Sequence, residues 1–152
     1  MSREHRIAVG AIVIQEEEIL LVRYDDRHGS SFLVGPGGGV HSDGESITQA
    51  LIREVKEETG LEVSPYKLLF VEDLLSSRYR MVKIWFLCNI IGGCVEKTQG
   101  AIDEGIVEVR WYRRDELMNE VVYPPVLLTE NWESFFNDKR EPKYLELRNA
   151  DF

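Results

Sequence analysis

The sequence predicts a single α/β (α+β) domain over residues 1–152, with a mixed β-sheet held between helices. Strand-like apolar runs come first, one long amphipathic helix interrupts them, and further strands lead to a closing helix. With 152 residues, 43% of them hydrophobic, the chain is long enough for one sizeable core and short for two. No internal repeat or low-complexity stretch marks a linker.

Residues 6–14 are almost continuously apolar, which suits a strand buried on both faces, and Gly10 within it permits the close approach of another group. A polar turn at residues 15–18 and a second run at 19–24 predict a hairpin. Arg23 ends that run, where it either meets a substrate phosphate or stands as an exposed strand-end charge. The polar loop 25–31 precedes a short strand at 32–34. After the central helix, residues 61–63 and 66–75 read as extended, broken at Ser64-Pro65. Residues 79–91 form the longest apolar strand, paired with 66–75 through Ser76-Ser77-Arg78. Alternation puts Lys83, Trp85 and Leu87 on one face and Val82, Ile84, Phe86 and Cys88 on the other. Trp85 reads as core, with base stacking as the alternative. Residues 92–102 read as a polar loop and 105–112 as a strand with Val107, Val109 and Trp111 inward. A short helix is expected at 115–119 and a second helix at 126–137 after Pro124-Pro125; the tail 143–148 alternates as an edge strand does.

The formal net charge of −9 weighs against nucleic acid or an anionic membrane as the main partner, since both reward clustered Lys and Arg. Cys88 and Cys94 make no zinc spacing, and Cys88 reads as a buried free thiol. His5, His28 and His41 have no partner at ligand spacing and receive no catalytic role. The first residues lack an apolar stretch and no segment approaches a membrane span, so a cytoplasmic protein with no membrane partner is expected. The closing helix with Trp132, Phe135 and Phe136, together with the alternating tail, offers apolar surface for a homodimer or simply packs on its own sheet.

The chemistry concentrates at Gly39 to Leu61. Ser42-x-x-Glu45 reads as a capping box with Asp43 competing, and Gly60 as a stop, which predicts a helix from about Glu45 to Thr59. At about 100° per residue, Ile47, Ala50, Leu51 and Val55 span one apolar arc. Glu54 and Glu58 fall inside that arc, with Glu57 at its edge beside Arg53. A charged run is usually a solvated face, and Gln49, Ile52, Lys56 and Glu45 fit that description; Glu54 and Glu58 do not. Buried carboxylates without partners cost several kcal/mol or neutralise themselves, and one arginine does not offset three of them. A divalent cation does, and carboxylates at i, i+3 and i+4 are expected to converge on it. The glycines 35 and 37–39 just before the helix, Gly38 and Gly39 nearest to it, offer bare backbone that a ligand or metal can approach.

Gly39, Glu45 and Arg53-Glu54-Val55-x-Glu57-Glu58-x-Gly60-Leu61 stand at the spacing of the Nudix box, and on these residues the chain resembles the Nudix hydrolases. The resemblance implies an α/β/α sandwich and a Mg²⁺-dependent hydrolase, with Mn²⁺ as the alternative ion. It implies that Glu54, Glu57 and Glu58 hold the metal, that Gly39 offers its carbonyl to it, that Arg53 orients a neighbouring carboxylate, and that Glu45 ties loop to helix. The expected reaction is hydrolysis of a pyrophosphate bond in a nucleoside diphosphate linked to another group, a small-molecule nucleotide, by direct attack of water. A metal-dependent nucleotide sensor and an enzyme acting on RNA 5′ ends are the alternatives. Family members place the general base on the box helix or downstream, so Glu54, Asp103, Glu104 and Glu108 are its candidates. Glu104, at a loop end, is favoured as base or additional metal ligand.

Overall fold

A computed structural model describes residues 2–25 and 29–150. His28 lies outside the described residues. The strands are β1 (Glu4–Ile12), β2 (Ile14–Gln15), β3 (Glu18–Asp25), β4 (Ser31–Val34) and β5 (Gly37–Gly39), followed by helix α1 (Ile47–Thr59). Then come β6 (Leu61–Leu75), β7 (Tyr79–Gly93), the short helix α2 (Gln99–Asp103), β8 (Ile106–Arg113), β9 (Val122–Tyr123) and β10 (Lys143–Asn149). No helix among the described residues is long and apolar enough to cross a membrane.

Two five-stranded sheets share these strands. The mixed sheet runs β10-β6-β7-β1-β5, with β1 parallel to β7, β10 parallel to β6 and the other pairs antiparallel. In the second sheet β3 is central, pairing with β2, β4 and β8, and β9 extends it from β4. The hairpin expected between residues 6–14 and 19–24 is therefore mostly absent. Only Ile14 and Gln15 pair with Glu18 and Ile19, across a turn in which Glu16 and Glu17 both take positive φ, while β1 belongs to the other sheet. The reason lies in β1 itself. Being apolar on both faces, it is placed between β7 and β5 in the sheet interior, with Val9, Ala11 and Val13 in the core beneath α1 and Ile12 in the core between the sheets.

Pro65 does not break its strand. β6 runs through it with irregular register on either side, which is tolerated because β10 pairs only from Phe70 onward and leaves that stretch of β6 an open edge. The predicted hairpin of β6 with β7 and the edge strand at the tail are both present. In β8 the expectation of a simple alternation fails at a bulge: Val107 is exposed, Ile106 and Val109 pack around Val22, Trp111 packs towards α1, and Tyr112 is buried on the opposite face. The predicted loop at 92–102 ends in α2, which Thr98 caps by accepting from the Ala101 N–H.

α1 begins at Ile47, with Ser46 as N-cap and Gln49 closing the capping box, rather than at Ser42 and Glu45. Glu45 cannot serve the box because its carboxylate is taken by Arg53 and by the His41 N–H. Gly60 ends the helix at φ 82°, as expected. The closing helix is two 3₁₀ turns, Pro125–Leu128 and Trp132–Phe136, and a third such turn, Arg114–Leu117, stands where the helix at 115–119 was expected. Thr129 bonds back to the Val126 carbonyl and Asn131 caps the second turn, so local side-chain bonds replace helical ones between them. These turns nonetheless seat Leu127, Trp132 and Phe135 in the core between the sheets, with Phe135 edge-on to Phe70 at 5.5 Å. The sandwich is thus closed by α1 on one side and by short turns on the other.

Trp85 is fully buried, and the room for its ring is made by glycines: a Cβ on Gly10 would lie 2.4 Å from it and one on Gly35 2.5 Å. Gly10→Ala is expected to cost about 1–3 kcal/mol through overpacking against a ring that has no free rotamer. Urea denaturation checks this, and an unchanged midpoint would show that the ring can move.

Candidate active site

The site forms where β5 lies against α1. Glu54 and Glu58, 8% and 2% exposed, point inward from the helix as their place in the apolar arc predicts, whereas Glu57 is exposed. Glu58 accepts the Gly37 N–H at 2.9 Å. Gly38 passes so close to Glu54 that a Cβ there would lie 2.6 Å from its carboxylate, so a side chain at this position would have to displace Glu54 from its bond to Arg53. Arg53 ties the junction together: it donates to both oxygens of Glu45 at 2.7 and 2.9 Å, to Glu54 at 2.9 Å, to Glu57 at 3.3 Å and to the Gly39 carbonyl at 3.1 Å. A rigid guanidinium fork can hold so many acceptors at once; a lysine ammonium cannot. Glu45 thereby ties loop to helix as expected, and Arg53 holds its carboxyl down at about 2.

Burial pushes the Glu58 carboxyl up to about 8, against the Gly37 N–H, and the neighbouring carboxylates of Glu54 and Glu104 push the same way. Glu54 is raised too, by burial first, with Arg53 opposing. Among the described residues no three His, Cys, Asp or Glu side chains are arranged to hold a metal ion. The expected convergence of Glu54, Glu57 and Glu58 is therefore incomplete: Glu57 turns to the rim beside Arg53 while the other two turn in. The donor set still fits a divalent cation. Two buried carboxyl groups that burial raises, both pushed further up by the carboxylate of Glu104, and all-oxygen chemistry beside side-chain-free backbone constitute a surplus of acidic groups that Arg53 and Lys83 only partly offset.

A cavity of about 540 Å³ opens from this junction between the two sheets. Gly37, Gly38, Gly39, Glu58 and Glu104 line it, so the structure brings these predicted residues to one place. Glu104 caps the C-terminus of α2, and α2 is fastened to the box helix where the Thr98 hydroxyl donates to the Glu57 carbonyl. Asp103 is bonded to Gln99, and Glu108 faces Tyr112, Arg23 and Arg110. Arg23 is committed to Glu120 at 2.9 and 3.1 Å and to Ser31 at 2.7 Å, an internal ion pair rather than the exposed or phosphate-facing arginine expected of it. The cations that do line the cavity are Arg6, Arg78, Lys83 and Arg148. Sequence reasoning gave them no role, although a lysine sharing a strand face with Trp85 and Leu87 was a usable signal. Burial pushes the Lys83 ammonium below its ordinary value, with Glu72, Glu58 and Glu54 opposing. Cys88 is a buried free thiol raised by burial to about 12.

The helix that buries carboxylates against a glycine strand, at the mouth of a cavity walled by aromatic and cationic side chains, is the stretch on which the sequence resembles the Nudix hydrolases. The chain belongs to that family: the NUDIX domain model matches residues 4–130. Among curated relatives it is 36% identical over 113 residues to the human protein named 8-oxo-dGDP phosphatase NUDT18, a match covering 73% of this chain and 33% of that one. It is 34% identical over 89 residues to an ADP-ribose pyrophosphatase of Methanocaldococcus jannaschii, covering 57% of this chain and 52% of the other. The chain thus spans about a third of the first and half of the second. Among solved structures, a NUDIX hydrolase from Nitrosomonas europaea superposes with a TM-score of 0.69 at 26% identity, over 83% of this chain and 85% of that one.

The raised Glu58 carboxyl makes apo stability depend on pH. Between its ordinary value of 4.5 and its folded value of about 8 the folded chain keeps a proton that the unfolded chain has lost. This stabilisation is complete below pH 4.5 and is lost as pH rises through 8. In EDTA, the melting temperature of the wild type is expected to fall over that window and that of Glu58→Gln to fall less. Parallel profiles would show that Glu58 is not the group responsible.

Proposed function

We propose that the protein is a Mg²⁺-dependent hydrolase, with Mn²⁺ as the alternative ion, that cleaves a pyrophosphate bond in a nucleoside diphosphate linked to another group. The observation that carries this reading is the pair of buried carboxyl groups, Glu54 and Glu58, only partly offset by Arg53 and the Gly37 N–H, with Glu58 lining the glycine end of a cavity whose other walls are aromatic and cationic. The relatives named as an 8-oxo-dGDP phosphatase and an ADP-ribose pyrophosphatase support the same bond class. Glu54, Glu57, Glu58 and Glu104, with the Gly39 carbonyl, would hold the metal, which when bound neutralises phosphate oxygens and lowers the pKa of an attacking water.

The chain's own residues supply the rest. Arg53 fixes Glu54 from one side while the close approach of Gly38 closes the other, so the carboxylate cannot swing away from the site. The backbone of β5 leaves the reacting end of the cavity free of side chains. Glu104 stands at the end of a short helix, held to α1 through Thr98, and serves as the base that accepts the water proton, with Glu54 as the alternative. The outer edge offers a second copy of this chain as partner: β10 pairs on one side only, and its Tyr144 and Leu147 are exposed. A monomeric mass by light scattering at micromolar concentration would end that reading.

A screen of nucleoside diphosphate derivatives with Mg²⁺, read by product identity, tests the activity itself; no turnover of any of them would leave a binding domain. Glu57→Gln is expected to remove most turnover and keep the fold, because an exposed carboxylate is exchanged for its isostere. Mg²⁺ should then raise the melting temperature of the wild type more than that of the variant. For the base, Glu104→Gln should lower kcat about a hundredfold or more and Asp103→Asn should leave it nearly unchanged. A Glu104→Gln enzyme with wild-type kcat would move the role to Glu54.

A further inference from the structure

Two hydrogen-bond donors that line the cavity have no acceptor among the described residues. Tyr24, on β3 of the second sheet, and Lys83, on β7 of the mixed sheet, share that cavity with Gly38, Gly39, Glu58 and Glu104. The Tyr24 ring is held in place: it stacks on Phe32 at 5.3 Å and packs against the cluster of Val22, Ala101 and Ile106. Its hydroxyl donates to none of the described residues. Lys83 is placed by register, since Ala8 of β1 pairs with it on one side and with Gly39 on the other, and its ammonium lies 4.4 Å from the Trp85 ring. Glu72, its partner across the β6–β7 ladder, gives one oxygen to the Trp85 indole N–H at 2.8 Å and the other to Arg148 at 3.0 and 3.3 Å. Lys83 itself makes no ion pair among the described residues.

Both donors feel the same acids. Burial raises the Tyr24 phenol above its ordinary value and Glu58, Glu104 and Glu54 push the same way, so the group keeps its proton. Glu58 and Glu54 likewise support the charge on Lys83 against its burial. The acidic corner is therefore faced from one sheet by a phenol O–H and from the other by an ammonium that only donates. A phosphate held at Glu54 and Glu58 through a divalent cation still has oxygens to satisfy. A nucleobase edge would offer these donors neutral acceptors, whereas phosphate offers charged ones, to which hydrogen bonds are about twice as strong. We propose that the Tyr24 hydroxyl and the Lys83 ammonium bind non-bridging phosphate oxygens of the substrate from opposite walls of the cavity. This rests on the hydrolase reading and deepens it, adding two substrate-binding residues from outside the box helix and its loop. Neither has to break a bond within the protein to reach the ligand.

The test uses a ligand with no base and no cleavable bond. Methylenediphosphonate, in which carbon bridges the two phosphorus atoms, is titrated calorimetrically into the full chain with Mg²⁺ present, and Mg²⁺ alone is titrated in parallel. Tyr24→Phe, which keeps the ring, is expected to weaken diphosphonate binding about tenfold. Lys83→Met should weaken it about tenfold or more, with Lys83→Arg closer to the wild type. Mg²⁺ alone should bind Tyr24→Phe as it binds the wild type and Lys83→Met no more weakly, because removing one cation from beside carboxylates does not oppose another. An unchanged diphosphonate affinity in either Tyr24→Phe or Lys83→Met would overturn the proposal, as would no diphosphonate binding by the wild type. Equal losses for diphosphonate and for Mg²⁺ would also overturn it, by making the two side chains supports for the carboxylates. Tyr24→Phe decides by itself if Lys83→Met fails to fold. Hydrolysis of nucleoside diphosphate derivatives by the wild type is measured separately. Turnover with diphosphonate affinity unmoved in the variants removes the donor pair and leaves the hydrolase, whereas neither Mg²⁺ binding nor turnover removes both.

Discussion

The structure depends on one unfavourable arrangement, two carboxylates facing inward from a helix whose other inward residues are Ala50, Leu51 and Val55. Burying Glu54 and Glu58 opposes folding at neutral pH, and the surroundings are organised to limit that cost. Arg53 binds one of them, the Gly37 N–H binds the other, and Glu45 holds Arg53 in place from the loop. β5 follows from the same need. A strand of glycines is a poor strand by propensity, yet it is what allows backbone to come within reach of both carboxylates. Local stability is given up where the chemistry needs unsatisfied charge, and the sheets and their cores supply it elsewhere.

The cavity of the sandwich is lined by strands of both sheets. Its chemical division comes from topology. The carboxylates arrive on α1 and α2, the rings of Tyr24, Phe32 and Tyr123 on the second sheet, and the cations on β1, β7, β10 and the β6–β7 turn of the mixed sheet. In a chain of net charge −9, that gathering of Arg6, Arg78, Lys83 and Arg148 offsets the Glu58, Glu72 and Glu104 side chains that share the cavity.

The helix and its inward glutamates were legible in the sequence because helical periodicity maps residue number onto direction, and the spacing from Gly39 to Leu61 is specific. The helix start was misplaced by two residues and its capping box by four: Ser42-x-x-Glu45 and Ser46-x-x-Gln49 both satisfy a capping pattern, and only the ion pair of Glu45 with Arg53 decides between them. The closing segment had apolar residues at helical spacing, and the same residues are buried on 3₁₀ turns, since spacing of three serves both. What the sequence could not show is which strands lie side by side. Glu72, Lys83 and Arg148 meet only through the antiparallel register of β6 with β7 and the parallel docking of β10 on β6, a pairing across about half the chain. Arg23 failed for the same reason, its partner Glu120 being distant in sequence.

The glycine strand bears on how such a protein can diverge. At Gly37 any side chain would run into the Val9 carbonyl, at 2.2 Å from a Cβ, and at Gly38 into Glu54. Gly37 is thus closed to substitution, and a side chain at Gly38 would have to displace the Glu54 carboxylate that Arg53 holds. Exchange is easier on the far walls, where Phe32, Tyr123 and the residues of β10 are held by side-chain contacts. Under the proposed hydrolase reading, reaction and preference are inherited on separate parts of the fold, so bond cleavage would persist through lineages while the molecule being cleaved changes.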